Sequence, residues 1–388
     1  MKNLTFHLHI LPGDFSGNNK SILHLFCFLM TAFILAQHNC FGQNMTERQR
    51  PQIAEKCANC NFTLKPGQNV RIVFYNAENL YDPYNDSVKR DDDFTAAGGK
   101  RWTYSRFIAK LLHLSKVFIS IGEWDPPAII GMCEVENDYV LKKLIYETPL
   151  KNSHYRIIHY DSPDARGIDV ALLYRPDRFR VLTSKPVRVR FPFDTNSATR
   201  DILYVKGVIF GNDTVHLFIN HWPSRMGGYT ESTPRRNYVA SLLRTAIDTI
   251  NAHHTDANIV IMGDFNDEPD NESLLHILKA RTDTQDLRTA DLVNLMSFKL
   301  KEWNIGTIKY QGKWSIFDQF IVSRNMVASH NNLFTRIEDA HIFKGNFLLE
   351  DDARYLGSKL NRTYVGPVYH GGYSDHLPIY LDIWSLSH

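Results

Sequence analysis

An α/β sandwich is the fold class that this sequence predicts, in one domain that begins near residue 70 and continues to the C-terminus. Apolar runs of strand length alternate with segments of helical periodicity, and several strands follow one another directly, as in hairpins. A strict alternation of strand and helix, typical of a parallel sheet, is absent from the sequence, as are internal repeats. The pattern therefore favours mixed sheets with helices packed against them.

The composition is that of a globular protein with a sizeable core. Of the 388 residues, 43% are hydrophobic and 22% are charged, and the formal net charge is +2. These values exclude a disordered, fibrous or basic-tailed protein. Because the net charge is small, an anionic substrate would need a local patch of positive residues. The net charge neither indicates nor excludes nucleic acid as a partner.

The N-terminal residues 1–43 predict a secretory signal peptide. The apolar run from Ile22 to Ala36 follows Lys20 and precedes a short exit near Gly42. This run is too short and too interrupted for a comfortable transmembrane span. We therefore expect a secreted or periplasmic protein with no stable membrane span. A lipid anchor at Cys40 is disfavoured, because the three residues before it are not small.

Residues 44–69 are polar, contain a Pro-Gly pair and predict an exposed linker. Cys57 and Cys60 form a single C-x-x-C pair in this linker, which favours a local disulfide over a zinc site in an exported protein. Cys133 lies in an apolar strand and predicts a buried, inert thiol. The folded domain is expected over residues 70–388.

The elements of the domain follow from apolar periodicity and from the turn residues between the runs. In chain order, the sequence predicts the strand Val70 to Tyr75, the helix Ser105 to Ser120, the strand Ala128 to Cys133, the helix Tyr139 to Tyr146, the strands Tyr155 to Tyr160, Ile168 to Tyr174, Phe179 to Val189, Leu203 to Phe210 and Thr214 to Ile219, the helix Pro234 to Ala252, and the strands Ile259 to Met262, Phe317 to Val322 and Leu377 to Trp384.

The long helix is expected to begin at Pro234 with Thr233 as its cap, because proline suits the first helical position. Arg235 and Arg236 then read as a solvated basic helix end. The stretches 281–314 and 335–370 are long and irregular. Such stretches indicate functional loops over a site.

Polar side chains recur at the ends of the apolar strands. Each of them alone is more often structural, since such residues commonly form turns or caps. At the ends of several strands together they indicate a single site, because α/β sheets build their sites at strand ends. The residues are Asn76, Glu134, Asn220, His221, Asp264, Asn266, Asp318, Asp375 and His376.

This set combines carboxylates, amides and two histidines, with no obvious serine or cysteine nucleophile. Such oxygen ligands suit Mg²⁺, with Mn²⁺ or Ca²⁺ as alternatives, whereas zinc prefers histidine or cysteine. A magnesium ion held by one or two carboxylates and by phosphate oxygens is usual in phosphoryl transfer. The reaction also needs an aligned water, a base and charge neutralisation, which these residues can supply.

The ordered motifs resemble the metal-dependent endonuclease/exonuclease/phosphatase superfamily over roughly residues 70–384. The resemblance implies a four-layered α/β sandwich of two packed mixed β-sheets flanked by helices, with residues 70–388 as the catalytic domain. The motifs that carry it are Phe74-Tyr75-Asn76-Ala77-Glu78-Asn79-Leu80, Cys133-Glu134-Val135-Glu136-Asn137, Asn220-His221-Trp222-Pro223-Ser224-Arg225, Gly263-Asp264-Phe265-Asn266, Phe317-Asp318 and Ser374-Asp375-His376.

The resemblance also implies roles for single residues. Asn76, Glu134 and Asp375 look like the metal ligands of the family. Glu78 is a second candidate near the metal.

The residues of the reaction are implied in the same way. Asp264 would orient or deprotonate the attacking water, and Asn266 would hold a phosphate oxygen. Asp318 resembles the aspartate that orients His376, which would contact the scissile phosphate. His221 matches the general acid of the deoxyribonuclease branch.

A histidine acid needs a carboxylate on its other ring nitrogen, and Asp169 is the candidate because it interrupts an apolar strand. The alternative for Asp169 is a strand-edge charge or a salt bridge to Arg166. Arg166 and Arg225 fall near the predicted site strands and are expected to bind substrate phosphate.

The sequence thus predicts an exported, divalent-metal-dependent phosphodiesterase, with a nuclease favoured by elimination and nucleic acid as its substrate. The Asp318 segment lacks the Trp-Cys-Asp-Arg signature of inositol-polyphosphate phosphatases, and no apolar hairpin for membrane entry stands out. The alternatives are a phosphatase, a sphingomyelinase-like lipid phosphodiesterase, or a non-catalytic binding protein, which would lack a catalytic carboxylate. We expect a monomer, and no protein partner is implied.

Overall fold

The strands of the domain form two mixed β-sheets. A computed structural model describes residues 69–301, 306–327 and 332–386. All of these residues belong to one compact unit, Cys60–His388. The predicted signal peptide, almost all of the linker and the Cys57–Cys60 pair lie outside the described residues.

The first sheet contains seven strands in the order β14-β20-β1-β2-β4-β3, with β15 also paired to β20. The strands β1 and β2 are parallel, and the other neighbours are antiparallel. The bounds are β1 Val70–Leu80, β2 Ile129–Val135, β3 Arg156–His159, β4 Asp169–Tyr174, β14 Leu333–Phe334, β15 Ala340–Ile342 and β20 Ile379–Ser385.

The second sheet contains seven strands in the order β5-β6-β7-β8-β13-β10-β9. The pairs β7–β8 and β9–β10 are parallel, and the other pairs are antiparallel. The bounds are β5 Arg180–Val187, β6 Ile202–Ile209, β7 Asp213–His221, β8 Asn258–Asp264, β9 Ala280–Arg281, β10 Leu292–Asn294 and β13 Asp318–Ser323.

Three further strand pairs form antiparallel hairpins outside the two sheets. They are β11 Ile308–Tyr310 with β12 Lys313–Ser315, β16 Leu349–Asp351 with β17 Ser358–Leu360, and β18 Tyr364–Val365 with β19 Val368–Tyr369. The stretches 281–314 and 335–370 are therefore largely structured. Their strands are only two or three residues long and alternate too briefly to give a sequence signal.

The helices are α1 Tyr104–Gly122, α2 Asp138–Tyr146, α3 Tyr229–His253 and the short α4 Arg324–Val327, together with the 3₁₀ segments Asp92–Phe94, Pro149–Ser153, Leu295–Lys301, Ile337–Asp339 and Asn346–Leu348 and the π-turn Ser273–Ile277. Within the described ranges, none of these helices combines the length and the apolarity that crossing a membrane requires.

Strand alternation explains the layers. In β1, Ile72 and Phe74 point into the core between the sheets, whereas Val73 and Tyr75 pack against the helix side with Phe107 of α1. The second sheet is covered in turn by α3. Gly131 of β2 faces the second sheet, where an added Cβ would lie 2.7 Å from the sulfur of Met262. The predicted four-layered sandwich is confirmed.

The helix α3 begins at Tyr229, so its predicted start at Pro234 is wrong. Its N-cap is Gly228, whose φ of 121° disfavours other residues, and Pro234 lies inside the helix. The hydroxyls of Ser232 and Thr233 donate to the carbonyls of Gly228 and Tyr229 in the first turns. Thr233 is therefore a helical residue and not the cap.

Candidate active site

The polar strand ends meet because the sheets place them in register. The parallel pair β1–β2 sets Asn76 opposite Cys133, beside Glu134. In the second sheet, Asp264 pairs with His221 on one side and with Asp318 on the other. Packing of the two sheets then brings the two groups together.

Asn76 joins the two sheets at this point. Its Nδ2 donates to Asp264 Oδ2 over 3.1 Å and lies 3.4 Å from Glu134 Oε1. Glu134 Oε2 accepts from the backbone N–H of Asn79 at 2.8 Å. Glu134 has a φ of 58°, and a register shift beside it re-aims the side chain out of the strand. Such local strain is typical of functional positions.

Two histidines flank the carboxylate of Asp264. The Nε2 atoms of His221 and His376 lie 3.7 and 3.8 Å from Asp264 Oδ2. His376 Nδ1 donates to Asp318 Oδ2 over 2.6 Å, and all of these side chains are buried. The structure thus places the predicted His376–Asp318 pair together.

Burial is the main influence on the charges here. It raises the pKa of Asp264 to about 7, against the opposing effect of His376. Burial also holds the pKa of His221 well below its usual range, assisted by the cation of Arg200. For His376, burial favours the neutral form, but Asp318 and Asp264 outweigh it and raise the pKa.

The predicted pairing of Asp169 with His221 is not found. Asp169 accepts hydrogen bonds from the backbone and hydroxyl of Ser162 and lies 3.2 Å from His159 Nε2. His221 Nδ1 is buried and has no hydrogen-bond partner among the described residues. Asp169 therefore anchors the loop before its own strand, a role that satisfies its buried charge.

Arg200 is a site residue that the sequence analysis missed. Its guanidinium is buried, donates to Asp164 Oδ2 over 3.1 Å and to the carbonyl of Trp222 over 2.6 Å, and has no hydrogen-bond partner at Nε among the described residues. Arg166 shares Asp164 at 3.3 Å and is partly exposed. Both arginines lower the pKa of His221, so they lie near it. An arginine before a strand is too common to give a signal.

Arg225 supports the loop that follows Asp264. Its Nε donates to the carbonyl of Asn266 over 2.8 Å, and its Nη2 lies 3.1 Å from Asp267. Asn266 has a φ of 52°, and its Nδ2 donates to the carbonyl of Trp222 over 3.1 Å. The two predicted residues, Arg225 and Asn266, are therefore in direct contact.

Arg236 corrects the expectation of a solvated helix end. Its side chain is 0% exposed and forms an ion pair with the buried Asp267 at 2.7 Å. Arg235 is 41% exposed and pairs with Asp194. Helix periodicity places the two side chains in different directions, but only the packing of α3 against the loop at Asp267 decides which of them is buried.

Arg362 is a second residue that the sequence analysis missed. It lies 2.7 Å from Asp375 and 3.3 Å from Glu78, and so joins two predicted metal-side carboxylates. Glu78 also accepts from the backbone N–H of Thr363 at 2.7 Å. Burial, followed by Asp375, raises the pKa of Glu78. Arg362 lies on the irregular stretch 335–370, where no pattern marked it.

The residues present fit a divalent cation. Asn76, Glu134 and Asp375 offer the amide and carboxylate oxygens that such ions prefer. Burial, with smaller effects of Asp318 and Glu134, raises the pKa of Asp264, so a cation beside these carboxylates would relieve their repulsion. Asp318 Oδ1 is buried without a hydrogen-bond partner among the described residues, which points the same way.

The fold and this site define a class of hydrolases that act on phosphoester bonds. The chain belongs to the Endonuclease/Exonuclease/phosphatase family, whose model matches residues 71–385. Enzymes of this family generally depend on a divalent metal ion. No curated protein sequence matches the chain with significance.

Solved structures with similar folds are only distantly related in sequence. A humanized TDP2 from D. rerio is 15% identical, covers 81% of this chain and 98% of its own, and has a TM-score of 0.50. The human nocturnin catalytic domain is 16% identical over 82% and 94%, with a TM-score of 0.49. A mannosyl-6-phosphatase from Bacteroides thetaiotaomicron is 15% identical over 81% and 99%, also at 0.49. At such identities the likeness concerns the fold.

Proposed function

We propose that the protein is an exported, divalent-metal-dependent phosphodiesterase that hydrolyses nucleic acid. The observation that carries the proposal is the placement of Asp264 between the Nε2 atoms of His221 and His376, at 3.7 and 3.8 Å. Hydrolysis of a diester needs a base for water and an acid for the leaving oxygen. This triplet offers both within one buried cluster.

Asp264 is suited to accept a proton from water at neutral pH, because burial raises its pKa to about 7. His376 is held in its charged form by Asp318 and can bind a phosphate oxygen as a hydrogen-bond donor. His221 is the acid in this scheme. An anionic phosphate beside it would raise its low pKa and load it with a proton.

Asn76, Glu134 and Asp375 would hold Mg²⁺, with Mn²⁺ or Ca²⁺ as alternatives. When bound, such an ion supplies charge neutralisation at the phosphate oxygens. Arg166 and Arg225 would assist it from the protein side. The non-catalytic alternative is disfavoured, because the predicted carboxylates Glu134, Asp264 and Asp318 lie together in one cluster.

Nucleic acid is favoured as substrate by the surroundings of the site. An open cavity of about 1090 Å³ adjoins Arg225 and is lined by aromatic rings and amides. A phosphate monoester would fit a closed pocket better, and a lipid would require an apolar entry surface. Export is proposed from the signal-like residues 1–43, and a monomer is proposed without a protein partner.

The proposal is tested by hydrolysis assays on single-stranded DNA, plasmid DNA, RNA, sphingomyelin, inositol phosphates and sugar phosphates, with Mg²⁺ or with EDTA. We expect metal-dependent cleavage of nucleic acid. His221→Gln and Asp264→Asn should lower kcat by about 10²- to 10⁴-fold. His216→Gln is the matched control, since this histidine lies on the same strand β7 and bonds Tyr204.

Cleavage of the lipid or of the monoesters alone would reject the nuclease proposal and assign another branch of the family. Loss of activity in His216→Gln to the same extent would reject the role given to His221. Export is tested separately, by recovery of a shortened chain outside the cytoplasm of a bacterial host. Retention of an uncut chain in the cytoplasm would reject it.

A further inference from the structure

A large cavity lies beside the catalytic cluster, and the reaction scheme above assigns no group of the substrate to it. Its volume is about 1090 Å³. Its walls include the start of α3 at Tyr229, the loop Glu268 to Asn271, the hairpin β11–β12 with Trp314, and Tyr355. Its place and chemistry indicate what it binds.

Two short series of contacts join the cavity to the site. Arg225 lies in its wall and bonds the carbonyl of Asn266, two residues after Asp264. The hairpin that forms another wall starts at Ile308, which pairs with His376 in an isolated β-bridge. A substrate whose phosphate lies at the two histidines can extend along Arg225 and the hairpin to this cavity.

Three aromatic rings lie in the walls, those of Tyr229, Trp314 and Tyr355. Tyr229 and Tyr355 are each 43% exposed, and Trp314 is partly exposed on the hairpin. The guanidinium of Arg225 lies 4.8 Å from the ring of Tyr229 and 4.6 Å from that of Phe317, so it extends this flat surface. Aromatic and guanidinium planes are the surfaces on which bases stack.

The charges of the cavity favour an uncharged ring over a second phosphate. The carboxylates of Glu268 and Asp270 balance the cations Arg225 and Lys313. The balanced charges give no net attraction for a second phosphate, whereas the amides and carboxylates can bond the edge of a base. The amide of Asn271 is already fixed, because its Oδ1 accepts from Arg225 at 2.7 Å.

We propose that this cavity is a nucleobase subsite that takes one unpaired base of a single-stranded nucleic acid. A base inside a duplex is stacked on both faces and cannot enter a concave, ring-lined surface without being extruded. The inference rests on the proposed function, since it names the substrate that the same site would cleave.

The test is a binding measurement in EDTA, so that cleavage plays no part. Fluorescence anisotropy compares a short labelled single strand, a strand of equal length with abasic nucleotides throughout, and a duplex. For the unmodified protein, we expect the base-bearing strand to bind about tenfold more tightly than the abasic strand. The duplex should bind no better than the abasic strand.

Trp314→Ala and Tyr355→Ala should each reduce the ratio of the affinities for the base-bearing and the abasic strand toward one. Tyr355 is a second variant because its partly exposed ring can be removed with little effect on folding. Trp124→Ala is the matched control, since Trp124 is 99% exposed and lies before β2, at the strand ends opposite the site. It should leave the preference unchanged.

Equal affinity of the unmodified protein for the two strands, or no binding of either, would overturn the inference. So would a preference that survives both cavity variants. The proposed function is judged separately by cleavage. Cleavage without base preference rejects only the subsite, whereas base preference without cleavage by the metal-loaded protein rejects only the activity.

Discussion

His376 donates its Nδ1–H to Asp318 over 2.6 Å, and this bond fixes which nitrogen of the ring faces Asp264. Asp318 begins strand β13 directly opposite Asp264 of β8, so the sheet itself sets the spacing of the two carboxylates. The imidazole between them is held charged by Asp318 first and by Asp264 second, against the effect of burial. Loss of Asp318 should therefore change both the orientation and the charge of His376.

Asp318→Asn should lower the pKa of His376 and lower phosphodiester hydrolysis by about 10²-fold or more. Imidazole NMR titration of the metal-free protein measures the first effect, and the kinetic assay measures the second. Asp177→Asn, at an exposed position, is the control. An unchanged pKa of His376 in Asp318→Asn would show that the pair does not set its charge.

Glu134→Gln should weaken Mg²⁺ binding at least about tenfold, because it removes a charged oxygen from the predicted ligand set. Isothermal titration calorimetry measures the affinity. Glu136→Gln is the matched control two residues away. Burial raises the pKa of Glu136 to about 8, and this side chain accepts from the backbone N–H of Asp82 at 2.6 Å. Equal weakening in both variants would refute the assignment of Glu134.

Arg236→Met should destabilise the fold by about 3 kcal/mol, because it removes the fully buried one of the two cations at Asp267 and leaves only the partly exposed Arg225. Urea unfolding followed by circular dichroism measures the free energy of unfolding. Arg235→Met is the neighbouring control and should cost far less, since its ion pair is exposed. Similar losses for the two variants would contradict the burial described above.

His216 should make stability depend on pH in mild acid. Burial first, then Lys206 and His254, lower its pKa in the folded protein to about 4 from an ordinary 6.5. The unfolded chain binds this proton more readily, so its contribution to stability is complete above about pH 6.5 and is lost as the pH falls toward 4.

The free energy of unfolding, measured with urea across this pH range, should therefore change less with pH in His216→Gln than in the unmodified protein. His276→Gln, at an exposed position, should keep the pH dependence of the unmodified protein. The same pH dependence of stability in all three proteins would mean that other groups cause the acid sensitivity.

Much of the site could be predicted from sequence, because local patterns mark where a buried strand ends. Asn76, Glu134, His221 and Asp264 each follow an apolar run, His376 directly precedes one, and the structure brings them together. The family resemblance added the pairing of His376 with Asp318, and the contact confirms it. The predicted start of α3 was wrong, because the sequence does not distinguish a proline inside a helix from a proline at the first helical position.

The sequence by itself determined the fold class, the family and the positions of most residues that meet at the site, since side-chain alternation and strand ends are local properties of the chain. Only the tertiary structure decided which distant side chains contact each other. Arg362 meets Glu78 across 284 positions, and Asp169 meets His159 and not His221. Such contacts depend on how sheets and hairpins pack, and no local pattern encodes which distant charge will neutralise a buried one.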